Sequence, residues 1–311
     1  MSSADRGWPS AFLPLLSVVL FLHGLLVPAR AELKVVGTDL LGSPFTTGLL
    51  DAGVRARIAL RVTLDGSLPG LTQLQAGSAD LGLFLLHPGA PPPPASLRVV
   101  PLAYLAVAVA VHDENPLATI SLGQLSSVFG TRTHGSIQRW SELGVGEPLL
   151  NRPISIYAPA STSGLAHDLF QHVVLGERAF RESLQLHANT DELIATAASN
   201  PGALAVIPWP PASTLRGLKL VRISKDSGAL SFSPEATALH RGDYPLRLPL
   251  WLVFRDEVRA ELTPLLRILL SDQGAALLAE AGLVAVPPEI RAEVIQELTA
   301  ALPLYPAAAK K

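Results

Sequence analysis

"LAYLAVAVAVHDENP", Leu102 to Pro116, and "YPLRLPLWLVFRDE", Tyr244 to Glu257, are the two stretches on which the fold of this 311-residue chain turns. Each is an apolar run too continuous to leave one face in water, so each reads as a strand buried on both sides. Between them lies a second series of elements: helix "LGQLSSVF", strand "ISIYAP", helices "GLAHDLFQHVV" and "DELIATAAS", then strands "ALAVIPW" and "LKLVRI". A chain that leaves one lobe, builds another and returns predicts two lobes joined by two crossovers. Such an arrangement places a cleft between the lobes, where small ligands bind and hinge closure traps them.

The flanking sequence fits this plan. Leu33 to Val36 reads as a short strand, followed by a polar turn at Gly37-Thr38-Asp39 and a helix with Ser43 as N-cap and Pro44 as its first residue. "RIALRVTL" (Arg57 to Leu64) is the next strand, with "DGSLPG" as its loop. A helix ending near Gly77 and another strand come after it. Strands alternating with helices imply an α/β sheet with parallel strands. "APPPPAS" (Ala90 to Ser96) is a stiff surface connector. Beyond the second long strand, "AELTPLLRILLS" and "DQGAALLAEAG" are amphipathic at helical spacing.

Composition excludes several classes. With 49% hydrophobic and 16% charged residues the chain is globular rather than disordered. A formal charge of -2 and the lack of any Lys/Arg run argue against nucleic acid as a partner. The absence of cysteine removes disulfides, thiolate metal sites and a cysteine nucleophile. Residues 1–31 read as an export signal. Arg6 supplies a weak positive region, and Ala11 to Val27 is apolar but short and interrupted by Pro14 and His23. Ala29 and Ala31 in "PARA" then form a small-x-small cleavage site before Glu32. An uncleaved N-terminal anchor is the other reading. Removing the leader leaves 22 basic and 25 acidic residues, a net charge of -3.

Four stretches in order carry a resemblance. "NPLATISLGQLSSVFGTRTHGSIQRWSELG" (Asn115 to Gly144) has Gln-Leu, Phe-Gly and Trp-x-x-Leu-Gly. "TDELIATAASNPGALAVIPW" has an acidic helix start and an Asn-Pro-Gly-Ala turn. "GDYPLRLPLWLVF" has Gly-x-Tyr-Pro-Leu-x-x-Pro-Leu. "LLSDQGAALLAEAGLVAVP" has Ser-x-x-Gly, with Ala275 where Gln is usual, and ends in Gly-hydrophobic-x-x-Pro. Together they resemble the phosphate-binding family of periplasmic solute-binding proteins, the receptors of ABC-type phosphate importers. The resemblance implies a two-lobed, type II periplasmic-binding-protein-like α/β fold. Its expected division is a leader (1–31), a first lobe (32–112 and 235–311) and a second lobe (113–234).

In that family three loops hold the oxyanion. In "GTDLLGS" Thr38 matches the hydroxyl position, while Leu40 stands where a second hydroxyl is common. "SADLGLFLL" keeps Asp80 and Gly82 but carries Phe84 and Leu85 where Ser or a charged residue is usual. In "YAPASTSGLAHDLF" (Tyr157 to Phe170), Ser163 and Gly164 match, Pro159 replaces Arg and Leu165 replaces Thr. The resemblance therefore implies Thr38, Ser161, Thr162, Ser163 and Gly164 as ligand contacts, with Ser67 in "DGSLPG" as a further candidate. Their role would be hydrogen-bond donation from hydroxyls and amides. Ser161 and Ser163 also read as plain N-cap residues. A helix N-terminus still favours an anion, but losing an Arg and two hydroxyls removes on the order of 5 kcal/mol of charged hydrogen bonding. That turns micromolar binding into roughly millimolar. Arg132, His134, Arg139 and His167 are the candidates by type for restoring the charge, against a reading as solvated loop residues for Arg132 and His134.

Other chemistry finds little support. Ser163, His167 and Asp168 offer hydrolase residue types, but adjacent residues on a helix point in different directions, and no G-x-S-x-G elbow is present. The eight His are scattered, without metal-ligand spacing. The expectation is a periplasmic, monomeric, non-enzymatic binder without cofactor or metal, taking a phosphate-like oxyanion and working with ABC permease subunits. Two alternatives stand beside it: a sensor or interaction module of the same fold that has lost tight phosphate binding, and a binder of a less charged ligand. Pro159, Leu165, Phe84 and Leu85 favour these.

Overall fold

The computed structural model describes residues 32–300 apart from 88, 132–134, 177 and 212–213. The expected leader over 1–31, the Arg132 and His134 turn and the terminal lysines lie outside the described residues.

The chain begins β1 (Leu33–Gly37), α1 (Gly42–Arg55), β2 (Leu60–Thr63), α2 (Ser67–Gln75) and β3 (Leu81–Leu85). The long strand β4 (Arg98–His112) follows, then β5 (Thr119–Ser121), α3 (Leu122–Phe129), β6 (Ser155–Pro159), α4 (Ala166–Phe170) and β7 (Gln185–His187). Next come α5 (Thr190–Ala198), β8 (Ala203–Trp209), β9 (Leu218–Ser224), β10 (Ser231–Phe232) and α6 (Ala236–Arg241). The chain closes with β11 (Arg247–Phe254), α7 (Arg259–Leu269), α8 (Asp272–Glu280), β12 (Val284–Ala285) and α9 (Pro288–Ala300).

One curled sheet runs β2-β1-β3-β11-β4-β8-β6-β7, with β5, β9, β10 and β12 attached beside it. The expected parallel sheet is only partly present. β1 pairs parallel with β2 and β3, and β6 with β7 and β8. The centre is antiparallel, because β4 and β11 are crossover strands running against each other and against their neighbours. Arg98 to Ala106 of β4 lies along β11, while Ala106 to His112 lies along β8 and β9. The packing changes hands inside this strand. Leu102 and Ala103 belong to a core with Phe45, Leu49 and Phe254; Tyr104, Val107 and Val109 belong to another with Phe129, Trp140 and Phe170.

The helices cover these cores as their spacing dictates. α1 buries Phe45, Leu49 and Ala52, and α7 buries Leu262, Leu265, Leu266 and Leu269, each an i, i+3/i+4, i+7 stripe. Two starts differ from the sequence reading. A 3-10 turn at Asp39–Leu41 precedes α1, which begins at Gly42 with no side-chain cap from Leu41. Ser67, expected in a loop, is the first residue of α2. Pro69 is tolerated there because first-turn amides have no helical partner. At the end of β1 only glycine fits: a Cβ on Gly37 would sit 2.2 Å from the Leu83 carbonyl oxygen. Among the described residues no helix is long and apolar enough to cross a membrane.

Tyr244 fixes the entry to β11. It is fully buried, and its hydroxyl donates to the Val107 carbonyl at 2.8 Å, while the Val107 amide donates to the Leu246 carbonyl at 3.1 Å. These two bonds extend the β4–β11 pairing beyond its last ladder residue. Burial pushes the Tyr244 phenol far above its ordinary range, so the group stays a donor. Tyr244→Phe removes the donor and is expected to lower unfolding stability by about 1–3 kcal/mol. Urea denaturation of the two proteins measures the difference.

Candidate functional site

The loops that close the first strands of each half meet in one place. The carboxyl end of β1 leads into Thr38 and the 3-10 turn; the end of β3 leads into Leu85, Leu86 and His87; the end of β6 leads into a second 3-10 turn, Ser161–Ser163. Crevices at the carboxyl ends of parallel strands are where open α/β sheets take ligands. Here the residues enclose a cleft of about 570 Å³ lined by Thr38, Ser67, Ser161, Thr162 and Gly164. The structure thus brings together residues more than a hundred positions apart in sequence. Ser163 belongs to the same turn as Ser161 and Thr162.

Each group has its own surroundings. Thr38 is 3% exposed, and its Oγ1 accepts from the Leu40 amide at 3.4 Å, leaving the hydroxyl proton to donate. Ser67 is fully committed: its Oγ donates to the Leu85 carbonyl at 2.8 Å and accepts from the Leu85 amide at 3.1 Å. It therefore anchors α2 to β3 at the wall of the cleft. Ser161 and Thr162 are exposed. Gly164 has φ near +100°, a conformation open to glycine, and a Cβ there would lie 3.8 Å from Leu40 Cδ2 across the cleft.

The rest of the wall is apolar and acidic. Leu40, Leu68, Leu85 and Leu165 line it together with Asp39, Asp168 and His87. His87 Nε2 stands 3.8 Å from Asp168 Oδ2, joining the β3–β4 connection to α4. An adjoining recess of about 270 Å³ shares Thr38, Leu40, Leu85, Gly164 and Leu165 and extends to Leu105, Thr190 and Gly282. Neither recess has a lysine or arginine among its described lining residues. His167 does not supply charge to the cleft. It is buried, with Nδ1 2.9 Å from the Pro159 carbonyl oxygen and its ring against Phe180. Arg139 is outside the lining and donates to the Asn151 carbonyl at 3.4 Å. Phe84 also turns away: its ring fills the space above Gly70 and Gly82 in a separate core cluster with Val36, Leu74 and Val253. Of the replacements singled out in the sequence, Leu85 and Leu165 face the cleft; Phe84 and Pro159 do not.

Residues 28–273 match the family described as the PBP superfamily domain. The chain belongs to the PBP superfamily. Among curated relatives, the phosphate-binding protein PstS of Pseudomonas aeruginosa is 24% identical over 209 residues, which cover 64% of this chain and 63% of that protein. The match thus spans less than two thirds of the relative. A possible phosphate binding protein from Planctomyces limnophilus has a similar structure, with TM-score 0.64 and 21% identity over 88% of this chain and 99% of that one. An ABC-type phosphate transport receptor from Vibrio cholerae aligns at TM-score 0.58 and 17% identity, covering 81% and 99%. These likenesses establish the two-lobed fold.

Asp39, His87 and Asp168 were not read from the sequence as cleft residues. The available signal was position: each follows closely on a strand end that faces the cleft. The differing commitments of the hydroxyls are measurable. Ser67→Ala orphans both Leu85 groups and is expected to lower stability by about 1–3 kcal/mol. Ser161→Ala, on an exposed turn, should change it by less than about 0.5 kcal/mol. Thermal or urea unfolding of both variants compares them.

Proposed function

We propose that this PBP-superfamily protein is an exported, monomeric receptor that holds phosphate or a related small oxyanion between its lobes for an ABC importer. One observation carries the reading: Thr38 from one half and the Ser161–Gly164 turn from the other present hydroxyls and amides to the same cleft. The names of its relatives point to the same ligand. In this reading residues 1–31 are a cleaved leader and the mature chain works in the periplasm. Residues 32–112 with 235–311 form one lobe and 113–234 the other, with β4 packing into both cores and Tyr244 and Leu246 into the core of Phe129, Trp140 and Phe170. Thr38, Ser161, Thr162, Ser163 and Gly164 donate hydrogen bonds, and Ser67 holds the wall. The function is binding, with no bond made or broken.

The lining sets the strength. Without a guanidinium or ammonium in the cleft, the anion is held by helix-end amides and hydroxyls alone, each bond to a charged group contributing about 1.5–3 kcal/mol. The carboxylates of Asp39 and Asp168 oppose a multiply charged anion and suit one that still carries a proton. A second reading, a less charged ligand, is favoured by the five leucines and two carboxylates of the wall.

Equilibrium dialysis of phosphate against protein unfolded and refolded to strip bound ligand decides between them. A dissociation constant of roughly millimolar is expected. Leu165→Thr, which adds a hydroxyl at the cleft, is expected to tighten it about tenfold. No retention of phosphate by either protein would transfer the assignment to the less charged ligand.

A further inference from the structure

The segment Asn115–Gly144 carries the first of the family-like motifs, yet none of its described residues lines the cleft. Several of them line a separate cavity of about 430 Å³, which shares no residue with the cleft. It lies where parallel strands β5 and β9 both end, beside the start of α3.

The sheet register builds its floor. Ser121 pairs with Ser224 across β5 and β9, and Ser224 pairs with Ser231 across β9 and β10. Residues paired in register project to the same face, so the three serines form a row with the strand spacing of about 4.8 Å. All three line the cavity. Ser224 is 6% exposed, and its hydroxyl makes no hydrogen bond among the described residues. The hydroxyl is not sealed away but opens on the cavity, where it is available to a ligand group in place of water.

The neighbours add unspent donors. Ser121 Oγ accepts from the Gln124 amide at 3.2 Å, and Gln124 Oε1 accepts from the Ser121 amide at 2.9 Å. This capping box leaves the Ser121 hydroxyl proton and the Gln124 side-chain NH2 available. Thr119 and Ser227 contribute further hydroxyls, and Leu117 and Val145 an apolar patch. Among the described residues no Asp, Glu, Lys, Arg or His lines the cavity.

We propose that this cavity is a second ligand site, taking a small, uncharged, polyhydroxylated molecule of monosaccharide size. Hydroxyls both donate and accept, so a row of them matches a ligand edge that does the same. A phosphate-like anion only accepts at its charged oxygens and would meet no countercharge here. The volume falls within the range of small-molecule pockets. The inference does not rest on what the cleft binds.

The test titrates the folded full-length protein with D-glucose and with myo-inositol, reading backbone amide NMR shifts. Saturable shifts are expected at Thr119–Gln124 and Ser224–Ser231, while Thr38 and Ser161–Leu165 stay still. Ser224→Ala removes an unpaired hydroxyl, so it should keep the wild-type melting temperature while weakening binding about tenfold. Ser231→Ala, at a half-buried position, should also weaken it. The proposal is overturned if neither compound gives saturable shifts there up to about 50 mM, or if both variants bind as the wild type does. It is equally overturned if phosphate, rather than the two polyols, moves these residues. A failure of phosphate to bind in the cleft leaves all of these readouts intact.

Discussion

The molecule depends on a single strand that two cores must share. β4 hydrogen-bonds to β11 along its first part and to β8 and β9 along its last. Flanked on both edges and covered on both faces, it cannot carry a polar residue through its middle: Leu102, Ala103 and Val107 to Val111 are completely buried. Each fully buried Val or Leu side chain contributes about 1.5–3 kcal/mol, so β4 is a large share of both cores at once. Tyr244 then locks the returning chain beside it through Val107. The two halves are held at a fixed pairing register, and the loops after β1, β3 and β6 face one another because of it.

That geometry explains why the cleft has the chemistry it has. Donors come from backbone turns and short hydroxyl side chains, which the fold positions without long side chains. Charge would have to be added by individual substitutions, and at the relevant places the chain carries Leu40, Leu85 and Leu165 instead. The fold thus shapes a cleft whose described lining offers hydroxyls without a lysine or arginine.

The long strands and amphipathic helices were legible because burial writes continuous or periodic apolar patterns into sequence. β4, β11, α7 and α8 follow directly from such patterns. The antiparallel centre was not, since alternating strands and helices describe connections and say nothing of the direction of a crossover strand. β10 and β12 have two residues each and carry no period. Ser67 looked like a loop residue because glycine and proline surround it, whereas Gly66 (φ +122°) turns the chain directly into α2. "GLAHDLFQHVV" reads as one helix, but α4 passes into a π-helical turn at Gln171–Leu175. For the cleft, resemblance located Thr38 and the Ser161–Gly164 turn. It did not find His87 beside Asp168, a proximity that exists only in three dimensions.

The central claim is that an anion in this cleft is held by hydroxyls and amides without a cationic side chain. A crystal structure of the stripped protein with phosphate tests it most directly. The account predicts phosphate oxygens within hydrogen-bond distance of Thr38 and the Ser161–Gly164 turn, with no lysine or arginine nitrogen in reach. Phosphate held by a guanidinium such as that of Arg132 or Arg139, or bound outside the cleft, would contradict it.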